Sequence, residues 1–293
     1  MPRLFLLVVV AVIATIACLG ASPRYAASAT DEPAKKPGWW IECDYRKSAE
    51  FDPIVFPGQP PPVGHMHSFE GGDARPTTTF STLRSSDTTC TQPTGLPKAH
   101  RSAVWQPQAY QNAQMLQATD ISIYYRPGLV DPQAVKPFPK GLRMIAGDAH
   151  AMTAQPNIRW GCGGGTTGPD PGNQMYSAPV DCPNAGDPQV KADVTFRQCV
   201  WKIDSADHQS HVTSPLIKEG NPYRVCPSGS TPVPRLNITV RYATSDGDGI
   251  TLSSGDPNTM HMDYFEAWRK ADMQTLIDRC MASSCNAKGE IIP

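Results

Sequence analysis

Apolar and polar residues alternate cleanly in two stretches of the chain. In Asp120–Arg126 (DISIYYR), Ile121, Ile123 and Tyr125 share one face; in Leu236–Tyr242 (LNITVRY), Leu236, Ile238, Val240 and Tyr242 do. A period of two marks a half-buried strand. Val190–Val200 (VKADVTFRQCV) reads as a third strand, with Val194 and Phe196 on one side. Gly141–Asp148 (GLRMIAGD) is short, apolar and glycine-bounded, which predicts a buried strand ending at an acid. Helical spacing takes over in Asp263–Met281, where Phe265, Trp268, Ala271 or Asp272, Leu276 and Cys280 predict one helix with a core-facing side. Strands closed by one helix predict a mainly β fold, a single β-sandwich-like domain.

The N-terminal pattern is different. Leu4–Leu19 is almost unbroken apolar sequence after Arg3, and Ala27-Ser28-Ala29 supplies small residues for cleavage. The run falls short of the ~20 residues a membrane span prefers. A signal peptide over 1–29 is expected, with Ala21 a second cleavage point; Thr15–Cys18 resembles a lipoprotein box without its usual leucine. Residues 30–38 then form a polar tether and 39–293 one domain, with no stable membrane span in the mature chain. The expected location is secreted or extracytoplasmic.

Export changes the meaning of the nine cysteines. Cys18 leaves with the leader, and the remaining even number predicts disulfides in an oxidising compartment. No C-x-x-C pair supports a structural zinc site. Short loops favour Cys162–Cys182, Cys199–Cys226 and Cys280–Cys285, leaving Cys43–Cys90. Thirty prolines in 293 residues are about twice the ordinary ~5%, so long ordered loops must join short elements. One Gly/Pro-rich loop is expected over 159–187; it lacks the G-K-[ST] of a phosphate loop. The net charge of −1, moving to −3 once Arg3 and Arg24 are removed, comes with no basic stripe and excludes nucleic acid as an obvious partner.

Five of the seven histidines fall in acid-flanked clusters. His65 and His67 share a face if extended, as do His261 and Asp263. Asp204, Asp207, His208 and His211 crowd into KIDSADHQSH, where His208 and His211 are neighbours on a single helical turn. His100 and His150 stand alone and read as surface residues. Such clusters suit two kinds of site. One is a zinc or copper centre on His65, His67, His208, His211 and His261. The other is proton transfer by Asp207, His208, His211, His65 and Asp148, with Arg143, Asp52 and Asp263 binding substrate. Paired carboxylates for glycoside hydrolysis are also available in Asp207 with Asp52 or Asp148. Trp39, Trp40, Trp105 and Trp160 offer sugar-stacking faces, although core packing is the default for tryptophan. No G-x-S-x-G elbow is present for a serine nucleophile.

FDPIVFPG, GHMHSFEGG, GLRMIAGD, IDSADHQSHV, CPSGSTPVPRL and HMDYFEAW occur in that order. Together, from about Trp40 to Cys280, they resemble the secreted domain-of-unknown-function family nineteen-ninety-six. The family comprises bacterial exported and fungal wall-associated proteins, some of the latter joined to carbohydrate-binding WSC modules. The resemblance implies that Asp52, His65, His67, Arg143, Asp148, Asp204, Asp207, His208, His211, His261 and Asp263 occupy motif positions. It brings no activity with it. This chain departs from its relatives at CVWKID, where they carry a tryptophan and a short insertion, so the loop entering the acid–histidine stretch is shorter here. The expected function is action on polysaccharide or cell-wall glycan. Non-catalytic glycan binding or metal binding in the envelope is the alternative.

Overall fold

Residues 36–163, 175–182 and 188–292 are described by a computed structural model; the expected leader and all but the end of the tether lie outside them. The first strands are β1 (Trp39–Ala49), β2 (His67–Gly71), β3 (Ala103–Pro107), β4 (Ala109–Gln111) and β5 (Gln114–Leu116). Next come β6 (Ala118–Arg126), β7 (Arg143–Gly147), β8 (Ile158–Cys162), β9 (Val190–Thr195) and β10 (Cys199–Val200). β11 (Val212–Thr213), β12 (Thr231–Pro232), β13 (Arg235–Tyr242), β14 (Ile250–Leu252) and β15 (His261–Phe265) complete them. The helices are α1 (Phe80–Ser85) and α2 (Lys270–Cys280).

Nine strands form one antiparallel sheet in the order β7-β15-β3-β2-β1-β6-β13-β9-β8. β1 is long enough to serve two partners. Trp39–Asp44 pairs with β6, Tyr45–Ala49 with β2, and the register shifts between Tyr45 and Lys47. An extra residue at such a shift bends the strand, and here the sheet folds back on itself. Ile121, Ile123, Ile238 and Val240 of one half share a core with Val104, Met144, Met262 and Tyr264 of the other. The edge strand β7 approaches β9, the neighbour of the other edge strand β8, without pairing to it, so the sandwich is nearly closed and keeps a seam. The alternating faces of β6 and β13 supply the inner layer, as their period predicts. Two three-stranded sheets, β11-β10-β12 and β14-β4-β5, flank it.

A second apolar cluster lies outside the sheet, where Phe51 and Ile54 cover Phe69, Trp105 and Phe265. The half-sheet is therefore buried on both faces, and that hides its period. All five residues of β15 are buried, so His261–Phe265 belongs to the ladder between β3 and β7, and the expected helix begins only at Lys270. The Val190–Val200 stretch also divides: Phe196 N–H turns to the Leu236 carbonyl, and Cys199–Val200 joins a different sheet. β7 is an edge strand whose Met144 and Ala146 face inward while Arg143, Ile145 and Gly147 are half-exposed. Arg159 lies within β8, so the Gly/Pro-rich loop starts later than expected; residues 164–174 and 183–187 of it lie outside the described set.

All four disulfides pair as the short-loop reading expects: Cys43–Cys90, Cys162–Cys182, Cys199–Cys226 and Cys280–Cys285. Each contributes about 2–4 kcal/mol, mainly by restricting the unfolded chain. His100 is not a surface residue. It is fully buried against Trp268, and its Nε2 meets the Tyr125 hydroxyl at 3.1 Å. No helix among the described residues is long and apolar enough to cross a membrane.

Candidate functional site

The outer face of the half-sheet carries the site. Strand register sets Phe69 opposite Trp105, Trp105 opposite Asp263, and Asp263 opposite Ile145. Two residues along, His67, His261 and Gly147 continue the same face. The loop from Phe51 to Met66 folds over this row and brings His65 and Asp52 to it. Asp52 sits at a turn in which its Oδ1 accepts from the N–H groups of Ile54 (2.7 Å) and Val55 (3.0 Å), the bond pattern of an Asx turn.

One nitrogen from each of His65, His67 and His261 lies within 4.8 Å of the others, and Asp52, His67 and Asp263 form a second such group through the shared His67. His67 Nδ1–H donates to the Phe51 carbonyl at 3.1 Å, and His261 Nδ1–H to the Thr259 carbonyl at 2.9 Å. A carbonyl can only accept, so both rings are held in the tautomer whose Nε2 carries a free lone pair. Nε2 of His65 and of His67 is buried without a partner. Both oxygens of Asp263 are buried and unpartnered too, with His261 Nε2 4.0 Å from Oδ2. Buried polar atoms are ordinarily satisfied, and a group of orphans calls for an ion or water between them.

Electrostatics agree. Burial, reinforced by His65 and His261, pulls the His67 imidazole well below its usual range. Burial takes His261 down to about 4 and lowers His65. Burial and the neighbouring Asp52 raise Asp263 well above the carboxylate range, and burial raises Asp52. The rings are therefore neutral, as metal ligation requires. Above them opens a cavity of about 460 Å³ walled by Phe56, Asp148, His150 and Gln209.

The KIDSADHQSH stretch plays several parts. β7 has a free side, and this segment closes it: Arg143 N–H bonds the Ile203 carbonyl, Ile145 N–H the His208 carbonyl, and Gln209 Nε2 the Gly147 carbonyl. His211 is buried, donating from Nε2 to the Arg143 carbonyl at 2.6 Å with Nδ1 on Ser205 Oγ. Asp207 is exposed, and its Oδ1 gathers Ser205, Gln209 and Ser210 donors, which hold its carboxyl below the usual range. His208 is different. Its backbone is left-handed at φ +54°, a strained state for a residue with a side chain. Its Nδ1 sits 2.7 Å from Asp204 Oδ1, while Arg143 holds Oδ2 at 3.2 Å.

The fold thus gathers His65, His67, His261, Asp52 and Asp263, with Asp148 at the mouth. Arg143, Asp204 and His208 form a separate group beside it. His211 has both ring nitrogens engaged, and neither it nor His208 joins the imidazole cluster. Trp39, Trp105 and Trp160 are core residues without an exposed stacking face. The sequence reading missed Gln209 and His150 as lining residues. His150 follows Asp148 by two positions, a signal that could have placed it.

Gly147 tests how tightly β7 and β15 meet here. Its φ is +101°, and a Cβ would lie 2.6 Å from the Met260 carbonyl oxygen and 2.8 Å from His261 Cα. Gly147→Ala is expected to cost at least about 1–3 kcal/mol and to displace His261. Urea unfolding of the variant measures the first effect and its metal affinity the second.

The family model described as Domain of unknown function (DUF1996) matches residues 52–268, a span that holds every site residue named above but stops short of α2. No curated protein and no solved structure matches the chain.

Proposed function

Because the chain belongs to the DUF1996 family, whose members share this span, we propose that it is an exported protein that holds one divalent transition ion on His65, His67 and His261 and acts on polysaccharide or cell-wall glycan. The carrying observation is the set of buried, converging imidazole nitrogens, two of them fixed with Nε2 free by backbone carbonyls. Such outer hydrogen bonds orient metal-ligating histidines. Asp263 and Asp52 as carboxylates add two negative charges, which a dication balances. Neutral imidazoles favour zinc or copper over magnesium or calcium. Four disulfides accord with an oxidising, extracytoplasmic setting.

An ion in this position supplies Lewis acidity to a ligand entering the cavity. The cavity favours turnover over a purely structural centre, because structural sites are closed whereas catalytic ones keep an open side. Asp148 and Gln209 position the ligand. Elemental mass spectrometry on untagged, oxidised protein tests the centre. About one zinc or copper per chain is expected, lost in His67→Ala and in His261→Ala; a parent protein that takes up no ion sinks the proposal. Glycan turnover that survives in the metal-free His67→Ala protein would detach the reaction from the ion.

A further inference from the structure

We infer that a second cavity adjoining the one over the imidazoles serves as a further subsite, so that the ligand is an extended, hydroxyl-rich polymer chain and not a single sugar or a peptide. This rests on the glycan reading above and specifies its substrate.

A second cavity, of about 520 Å³, occupies the seam between β7 and β9. It shares Ile145, Gly147, Asp148 and Gln209 with the metal-side cavity, so the two adjoin along these residues. Each lies within the roughly 300–1,000 Å³ of a small-molecule site, and a ligand filling both must be longer than one ring. The seam exists because the nine-stranded sheet stops before its edges meet.

The lining chooses among polymers. Asn157, Thr195, Arg197 and Ser214 present an amide, two hydroxyls and a guanidinium, with half-exposed Ile145 as an apolar surface. Such groups suit a chain that offers hydroxyls along its length. A peptide would bind a cleft beside a sheet edge by adding a strand to it. That route is taken: the N–H groups of Arg143 and Ile145 and the carbonyls of Arg143 and Gly147 already bond the segment from Ile203 to His211. The chain's own acid–histidine loop is the added strand, and it leaves side chains alone to read the ligand. A nucleic acid would need a cationic track, and among the described residues lining the seam only Arg197 offers a guanidinium.

The test is a calorimetric titration of metal-loaded protein with graded oligosaccharides from β-glucan, cellulose and chitin, run alongside Arg197→Ala and Asn157→Ala. Both substitutions lie away from the imidazoles, and metal content checks each preparation. For at least one series, affinity should rise with length. Arg197→Ala should remove about tenfold of that gain while short fragments and metal content stay unchanged. Equal affinity for short and long fragments, or length dependence untouched in both variants, overturns the subsite. Metal-loaded protein that binds no oligosaccharide overturns the subsite and the glycan reading but leaves the metal centre. Length-dependent binding in a protein that takes up no metal keeps the subsite and sinks the centre instead.

Discussion

Zinc added to the metal-free protein should raise its unfolding free energy by about 4 kcal/mol at a free concentration ~1,000 times the dissociation constant. The cause is that the ligands exist as a set only in the native state. His65 comes from the loop before β2, His67 from β2 and His261 from β15, so unfolding scatters them. His67→Ala and His261→Ala should each abolish the gain. Thermal unfolding with and without zinc, at fixed protein concentration, reads this directly; an unchanged transition in the parent would contradict the centre.

Asp263→Asn separates a metal role from a structural one by changing sign. Without the ion, Asp263 is a carboxyl with neither oxygen partnered, fully buried and facing buried Asp52. Burial and Asp52 raise its carboxyl well above the unfolded value, so at neutral pH the native state must keep a proton that the unfolded chain has released, at a cost in stability. The amide cannot ionise, so the metal-free variant should be more stable than the metal-free parent. With zinc the order should reverse, because the anion that balances the ion is gone. A variant less stable in both states would make Asp263 a structural residue.

How much of this was legible in the sequence depends on which faces are covered. β6 and β13 read correctly because one of their faces is packed and the other partly wetted, so Ile121–Tyr125 and Leu236–Tyr242 alternate. β15 did not. His261, Asp263 and Phe265 are buried under the Phe51–Met66 loop while Met262 and Tyr264 are buried in the core, and no period survives. The residue types at the site were visible as acid-flanked histidines, and the face shared by His65 and His67 followed from their spacing. His261 was grouped with them by residue type along with His208 and His211, but which of the five meet was not visible, because it rests on the β2-β3-β15 order of the sheet. Nor could composition show that His208 and His211 point to different partners, since a single left-handed backbone angle at His208 shapes the loop that separates them. The disulfides were accessible because three of the four close loops of 27 residues or fewer.

Glu70→Gln should make the protein more stable at pH 8 and change little near pH 4.5. Glu70 projects into the inner core from β2, wholly buried. Its Oε1 accepts from Ser68 Oγ at 2.8 Å and Gln106 Nε2 at 3.2 Å, and its Oε2 has no partner. Burial pushes its carboxyl up to about 8, against two hydrogen bonds that lower it. The unfolded chain releases this proton near the ordinary pH 4.5, whereas the native state keeps it to about pH 8. Between those values the native state binds more protons, so its stability falls as pH rises. The loss reaches on the order of 4 kcal/mol at pH 8, and glutamine, which never ionises, removes it. Glu266, pushed up to about 7 by burial, adds a slope of the same sign and remains in the variant. His100 acts oppositely: burial takes it down to about 3, so acidification below about pH 6.5 protonates only the unfolded chain and costs stability. Denaturant midpoints of parent and variant should therefore diverge from about pH 4.5 to about pH 8, keep a constant gap above about pH 8 and run together below about pH 4.5. Parallel curves across the whole range would mean that Glu70 ionises in the native state as readily as in the unfolded chain, with water admitted to the core beside its free oxygen.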